Sequence, residues 1–144
     1  MAITQAMCSS FKTEILSGGH NFNTTNRALS LNTQDTFNIA LYTSSATLGA
    51  ATTVYATTNE VSGTNYSAGG QALAIAQVPT LTGTTATIDF TDEVFSNVTI
   101  TARGALIYNA SVSNTAVCVL DFGSDKSASA GDFTIQFPAV GATT

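Results

Sequence analysis

The sequence predicts an all-β fold: an antiparallel β-sandwich, Ig-like or jelly-roll-like, of about seven or eight strands with a short N-terminal helix. Three observations carry this expectation. From residue 36 onward apolar residues recur with period two. Clusters of Gly, Ser, Asn and Thr interrupt them at regular intervals. Only one segment, near the start, has the spacing and punctuation of a helix.

That helix is "SSFKTEILS", residues 9–17. Ser9 or Ser10 supplies a capping hydroxyl, Glu14 reads as the capping-box acid, and Gly18-Gly19 ends the helix. Phe11 and Ile15 share a face at i, i+4, and Leu16 widens the stripe. A helix this short is marginal alone, so it must lie against its own domain or a partner. Residues 1–35 are therefore set apart as an N-terminal segment and candidate docking arm, with residues 36–144 as the sandwich domain.

The strands follow in order. "TFNIALYT" alternates Phe37, Ile39 and Leu41 with Thr36, Asn38 and Ala40. "QALAIAQV" is a weaker strand. "TATIDF" places Ala86, Ile88 and Phe90 on one face, "NVTITA" does so with Val98, Ile100 and Ala102, and "DFTIQF" with Phe133, Ile135 and Phe137. "GALIYNA" and "TAVCVLDF" are apolar on both faces and read as central strands. Turn signals separate them at "SGTNYSAGG", "LTGT", "NASVSNT" and "GSDKSASAG".

Composition bounds the function. A chain of 144 residues is one domain's length. Folding it should bury about two-thirds of its unfolded surface, so a core needs no disulfide or metal. Charged residues make up 9% of the chain, against about 25% ordinarily. Thr, Ser and Asn supply the polarity. A surface of neutral hydroxyls and amides has little long-range repulsion and is cheap to desolvate, which suits close-packed assembly. The net charge is −5, and Lys12, Arg27, Arg103 and Lys126 are scattered. Nucleic acid and anionic membrane are therefore not expected partners. "MAITQAMCSSF" lacks the basic and apolar regions of a secretion signal, and no stretch reads as a membrane span. Cys8 and Cys118 lack metal-binding spacing and read as reduced thiols, Cys118 as core.

Several motifs mimic chemistry. Residues 121–132, "DFGSDKSASAGD", contain the kinase Asp-Phe-Gly triplet. The glycine-rich loop, strand lysine and catalytic loop that give it meaning are missing. Asp121, Asp125 and Asp132 do not have calcium-loop spacing, so the stretch reads as a solvated turn between two strands. "DFTDE" (Asp89, Asp92, Glu93) reads as a second acidic turn. His20 is the only histidine. It follows the helix and has no nucleophile elbow to serve, so it reads as a partner of helix-terminal carbonyls. Carboxylate-pair glycoside chemistry has little aromatic support in a chain with no Trp. Asn-x-Ser/Thr at Asn23, Asn65, Asn97 and Asn109 is expected by chance in so Thr- and Ser-rich a chain. No catalytic, metal or cofactor-binding residue is assigned, and no cofactor is expected.

Longer stretches carry a resemblance. "FKTEILSGGHNF", "DTFNIALYTSSATLGAATTVYATTNEVSGTNYSAGG", "ITARGALIYN" and "VLDFGSDKSASAGDFTIQFPA" together resemble a family of small proteins encoded in tailed-bacteriophage genomes. The resemblance covers roughly residues 9–139 and carries no catalytic motif. It implies a structural virion protein, not an enzyme. The expected role is capsid decoration (a cement protein) on the outer face of the major capsid protein lattice, after synthesis in the bacterial host cytoplasm. Self-association as a dimer or trimer is expected, and avidity would close the clamp. Phe11, Ile15, Leu16 and Phe22 are the candidate capsid contacts. The alternative is a tail or fibre component binding a host receptor or glycan through Tyr42, Tyr55, Tyr66 and Tyr108.

Overall fold

Two strands decide the shape of the molecule. In the computed structural model, which describes residues 2–23 and 33–139, β6 (Glu93–Asn109) and β7 (Thr115–Ile135) form one long antiparallel hairpin. They are 17 and 21 residues long. Laid straight at roughly 3.3 Å per residue they would run about 55–70 Å. A globule of this chain length has a radius of gyration of only about 14–15 Å. The hairpin must bend, and its register shifts show where. Pairing slips between Phe95 and Val98, between Val98 and Ile100, and between Ala102 and Gly104. The largest slip lies between the Ala102↔Lys126 and Gly104↔Asp121 pairs, where residues 122–125 of β7 have no partner in the β6 register. Gly123 there adopts φ 77°, a conformation that costs glycine nothing.

The remaining elements attach to this hairpin. β2 (Phe37–Tyr42) pairs with residues 104–109 of β6, and β3 (Gln71–Leu73) extends the sheet beyond β2. β1 (Ala6–Met7) pairs with β7, giving the order β1-β7-β6-β2-β3. β4 (Ile75–Thr82) and β5 (Thr85–Phe90) form a separate two-stranded sheet. One helix, α1 (Ser9–Leu16), precedes β2. The result is the all-β, sandwich-like class expected: two antiparallel sheets of seven strands and a short N-terminal helix.

The element boundaries differ in three places. "NVTITA" and "GALIYNA" are one strand, β6. "TAVCVLDF" and "DFTIQF" are also one, and "GSDKSASAG" is not a turn between them but part of β7. A partner strand supplies ladder hydrogen bonds on both sides of the bulge, and this overrides the local preference of Gly, Ser and Asp for turns. "QALAIAQV" divides at Ala74, whose carbonyl accepts from Thr91 N–H at 2.9 Å.

The period-two faces of Phe37, Ile39 and Leu41, and of Val98, Ile100 and Ala102, are buried as expected. Ala40, Leu106 and Ile107 are buried too, because β2 and β6 are central strands covered on both faces. Residues 2–23 share this core: Ile3, Cys8, Phe11 and Phe22 belong to the same apolar cluster as β2, β6 and β7. The hydrophobic core thus runs unbroken across the boundary at residues 35 and 36. Helix α1 starts differently from the expectation. Cys8 is its N-cap and makes no side-chain cap bond, which places the capping-box position at Phe11 and leaves Glu14 nearly a turn beyond it. Its end is as expected, with Gly18 at φ 73° and Gly19 N–H bonded to the Glu14 carbonyl at 2.7 Å.

Gly70 marks the tightest backbone approach. It holds φ 70°, and a Cβ there would run into the Ile39 carbonyl and the Ala40 Cα. Gly70→Ala is expected to cost about 3 kcal/mol or more in urea unfolding. Gly83→Ala, at φ 61° but with open space around it, should lose only about 1–2 kcal/mol. Equal midpoints for the two variants would contradict this packing.

Candidate functional site

The four proposed contact residues of the N-terminal segment divide into two pairs. Phe11 and Phe22 are 7% and 6% exposed. Phe22 stacks on Phe37 with ring centroids 4.3 Å apart, and Phe11 lies 4.8 Å from the His20 ring. Both are core residues and are not available to a partner. Ile15 and Leu16 point out, at 41% and 89% exposure. A helix of two turns lying on a sheet buries a narrow stripe, and Phe11 alone fills it.

His20 is also inside, with its side chain 1% exposed. Asn109 Nδ2 donates to His20 Nδ1 at 3.0 Å and to Asp35 Oδ2 at 2.8 Å. Nδ1 therefore accepts, and Nε2 carries the proton donated to Glu14 Oε2 at 2.8 Å. Asp35 Oδ2 also accepts from Asn21 N–H at 2.8 Å, and Asn21 O accepts from Asp35 N–H at 2.9 Å. Asn109 Oδ1 accepts from Ser111 N–H. His20 does not cap the helix carbonyls as expected. It joins the end of α1 to the end of β6 through side chains, inside a wall of Phe11, Phe22 and Phe37.

The four tyrosines converge in a second network around Glu60. Tyr55 and Tyr66 donate to Glu60 Oε2 and Oε1 at 2.6 and 2.8 Å, and Gly69 N–H donates to Oε1 at 2.7 Å. Tyr66 accepts from Leu41 N–H at 2.8 Å. Tyr42 donates to the Ala56 carbonyl and Tyr108 to the Gly69 carbonyl. Together they pin the long irregular path of residues 43–70 onto β2. Burial raises the pKa of all four phenols, and the Glu60 charge adds to the shift. The phenol groups face inward and are engaged, so they do not form an exposed aromatic patch.

The acidic stretch at residues 121–132 does not converge. Asp121 Oδ1 accepts from Arg103 Nη1 at 2.7 Å and from Gly123 N–H at 2.8 Å. Asp132 holds Asn97 N–H at 3.0 Å. Asp92, in the second acidic turn, holds Phe137 N–H at 2.8 Å. Among the described residues, no group of three or more His, Cys, Asp or Glu is placed to hold a metal ion. No described helix is long and apolar enough to cross a membrane. Cys8 and Cys118 are free thiols, and burial raises the pKa of Cys118 to about 12. Cys8 is fully buried, whereas Cys118 is only partly covered.

Among the described residues, two uncharged features stand open to solvent. A shallow groove of about 910 Å³ runs between the N-terminal strand and residues 42–59, bordered by Ala2, Thr4, Leu48, Ala50, Thr52 and Val54. No charged residue lines it. The β4–β5 hairpin projects from the body, with residues 79–86 exposed and Leu81 at 69%. Comparison with family models, curated proteins and solved structures returns no match for this chain.

Glu60 was not singled out among the candidate residues, although residues 36–88 contain no other charged side chain. A lone acid in so neutral a run, with tyrosines on either side, is the signal that could have found it. Asn109 and Asp35 carried none, because their partners are far away in sequence.

Two outcomes check these networks. Glu60→Gln leaves one carbonyl oxygen to serve three donors and should destabilise by about 1–3 kcal/mol. Tyr42→Phe removes the 2.6 Å bond to the Ala56 carbonyl and should cost about 0.5–1.5 kcal/mol. Loss in neither would contradict it. The raised phenols also set an alkaline limit. Their contribution is fully present below the ordinary tyrosine pKa of about 10. It is lost as pH rises beyond that, because the unfolded chain releases protons that the folded chain retains. Tyrosinate absorbance should therefore appear together with unfolding. Titration near pH 10 in a chain that stays folded would count against the buried placement.

Proposed function

We propose that this chain is a structural virion protein of a tailed phage: a capsid decoration protein that binds the outer face of the major capsid protein lattice and reinforces it. The observation that carries this reading is where the charge goes. Of nine acidic residues, Glu14, Asp35, Glu60, Asp92, Asp121 and Asp132 bind donors of the same chain. What faces outward is dominated by Thr, Ser, Ala and Asn, with isolated apolar side chains such as Leu16, Val54 and Leu81. Such a surface is cheap to dehydrate over a broad contact, and it lacks the charge that would keep copies apart.

Affinity on this reading is collective. Each copy makes a modest contact, and neighbouring copies on the lattice raise one another's effective concentration. The chain works as a clamp and carries out no chemistry. It is made in the host cytoplasm and ends on the capsid surface. Ile15 and Leu16 are the parts of the N-terminal segment that meet the shell. Phe11 and Phe22 hold the helix in place behind them.

Deleting residues 1–22 would take Ile3, Cys8, Phe11 and Phe22 out of the core, so the informative variant is at the surface. An Ile15→Lys, Leu16→Lys double variant should fold normally. Its occupancy on capsids of the same phage, measured by co-sedimentation, should fall by about tenfold or more, the scale of a lost apolar anchor. Undiminished occupancy would remove this helix from the contact.

A further inference from the structure

We infer that the outer edge of β5 is a self-association site, on which β5 of a second copy of this chain pairs antiparallel about a two-fold axis. The inference deepens the assembly reading above by naming the element through which copies meet. It does not require the capsid, so either can fail alone.

The β4–β5 hairpin is a sheet of two strands, and among the described residues neither outer edge has a strand neighbour. Its base is anchored. Phe90 lies 6.0 Å from Phe37 and 5.8 Å from Phe137, and Ile75 and Ile88 pack against the core. Its outer part is not anchored, and residues 79–86 are exposed. A two-stranded hairpin is marginal in water, and a third strand is what ordinarily makes it stable. Natural proteins protect exposed edges with Lys, Pro, inward charges or bulges. This hairpin protects one edge only. β4 carries Pro79, which has no N–H to offer, inside its irregular stretch between Gln77 and Thr80. β5 reads "TATIDF". It contains no Pro or Lys, and no charge before Asp89.

Register identifies the open groups. Thr82 pairs with Thr85 across a two-residue turn in which Gly83 holds φ 61°, as the first central position of a II′ turn requires. The pair that closes such a turn is hydrogen-bonded, and the pairs alternate from there. Leu81↔Ala86 is therefore the next, non-bonded pair, and the N–H and C=O of Ala86 face away from β4. Ile88, two residues on, repeats that orientation.

A second copy fits this edge for two reasons. Residues 75–88 carry no charge at all, and the few charges of the chain, net −5, lie outside this stretch. An antiparallel strand pair with a two-fold axis is also self-complementary, since each edge offers the other the same donors and acceptors. The product is a four-stranded sheet, β4-β5 joined to the β5-β4 of its mate.

Sedimentation equilibrium of the purified full chain tests this without capsids. Wild type should show a monomer–dimer equilibrium that shifts with concentration. Ala86→Pro removes the outward N–H, and Ala86→Lys places a charge on the edge. Each should weaken the dimer by about tenfold or more, with the circular dichroism spectrum unchanged. Should Ala86→Pro disturb the hairpin, amide exchange on wild type resolves the same point, since protection of the Ala86 amide must grow with concentration. The inference is overturned by a wild-type monomer at every concentration, or by a trimer, which two-fold pairing does not generate. Dimers unaffected by both variants would also overturn it. So would loss of capsid binding in Ala86→Lys from a monomeric wild type, which would assign the edge to the shell protein.

Discussion

The backbone ladder between β6 and β7 is the contact from which the rest of the structure hangs. β2 and β3 continue the sheet from β6, β1 closes it on β7, and the helix packs against the same strand. A ladder of this length fits a small domain only because it slips register and bends. The bulged residues are accordingly structural. Gly123 and Ala130 take positive φ at two of these points, and Ala130 N–H is caught by the Thr99 hydroxyl at 3.0 Å.

A second principle is the economy of charge. With few ionisable groups, the chain uses its acids as fasteners. Glu60 gathers two phenols and a backbone N–H, Asp35 and Glu14 organise the turn after the helix, and Asp92 and Asp132 hold chain ends and bends. Each charge-assisted bond is stronger than a neutral one. Glu14, Asp35 and Glu60 are half-buried by theirs, whereas Asp92 and Asp132 remain exposed. The half-buried acids thus contribute to stability while presenting less charge to the exterior. This links the interior to the proposed assembly role: a surface with little charge needs ordered loops beneath it if neighbours are to meet it repeatedly in one geometry.

How far this was legible in the sequence depended on the range of the interaction involved. Period two is a local signal, and it placed β2, β5 and the apolar faces of β6 and β7 correctly. The helix end was equally local, written in Gly18-Gly19. Continuity of β7 through "GSDKSASAG" was not legible, because turn-type residues remain in a strand only when a partner holds them there, and that partner lies in β6. The orientation of the helix failed for a related reason. The i, i+4 spacing of Phe11 and Ile15 identified a face, but the width of the stripe was set by the sheet beneath it, and Ile15 stayed outside. His20 and the tyrosines were visible as residue types. Their roles were not, since Asn109, Asp35 and Glu60 reach them from distant segments.

The proposed role rests on a surface with few charges and an interior whose networks hold it in shape. Quantitative gel analysis of purified particles tests this most directly. The account predicts a copy number comparable to that of the major shell protein, with the chain released when particles are stripped of outer proteins. A few copies per particle, or none, would contradict it.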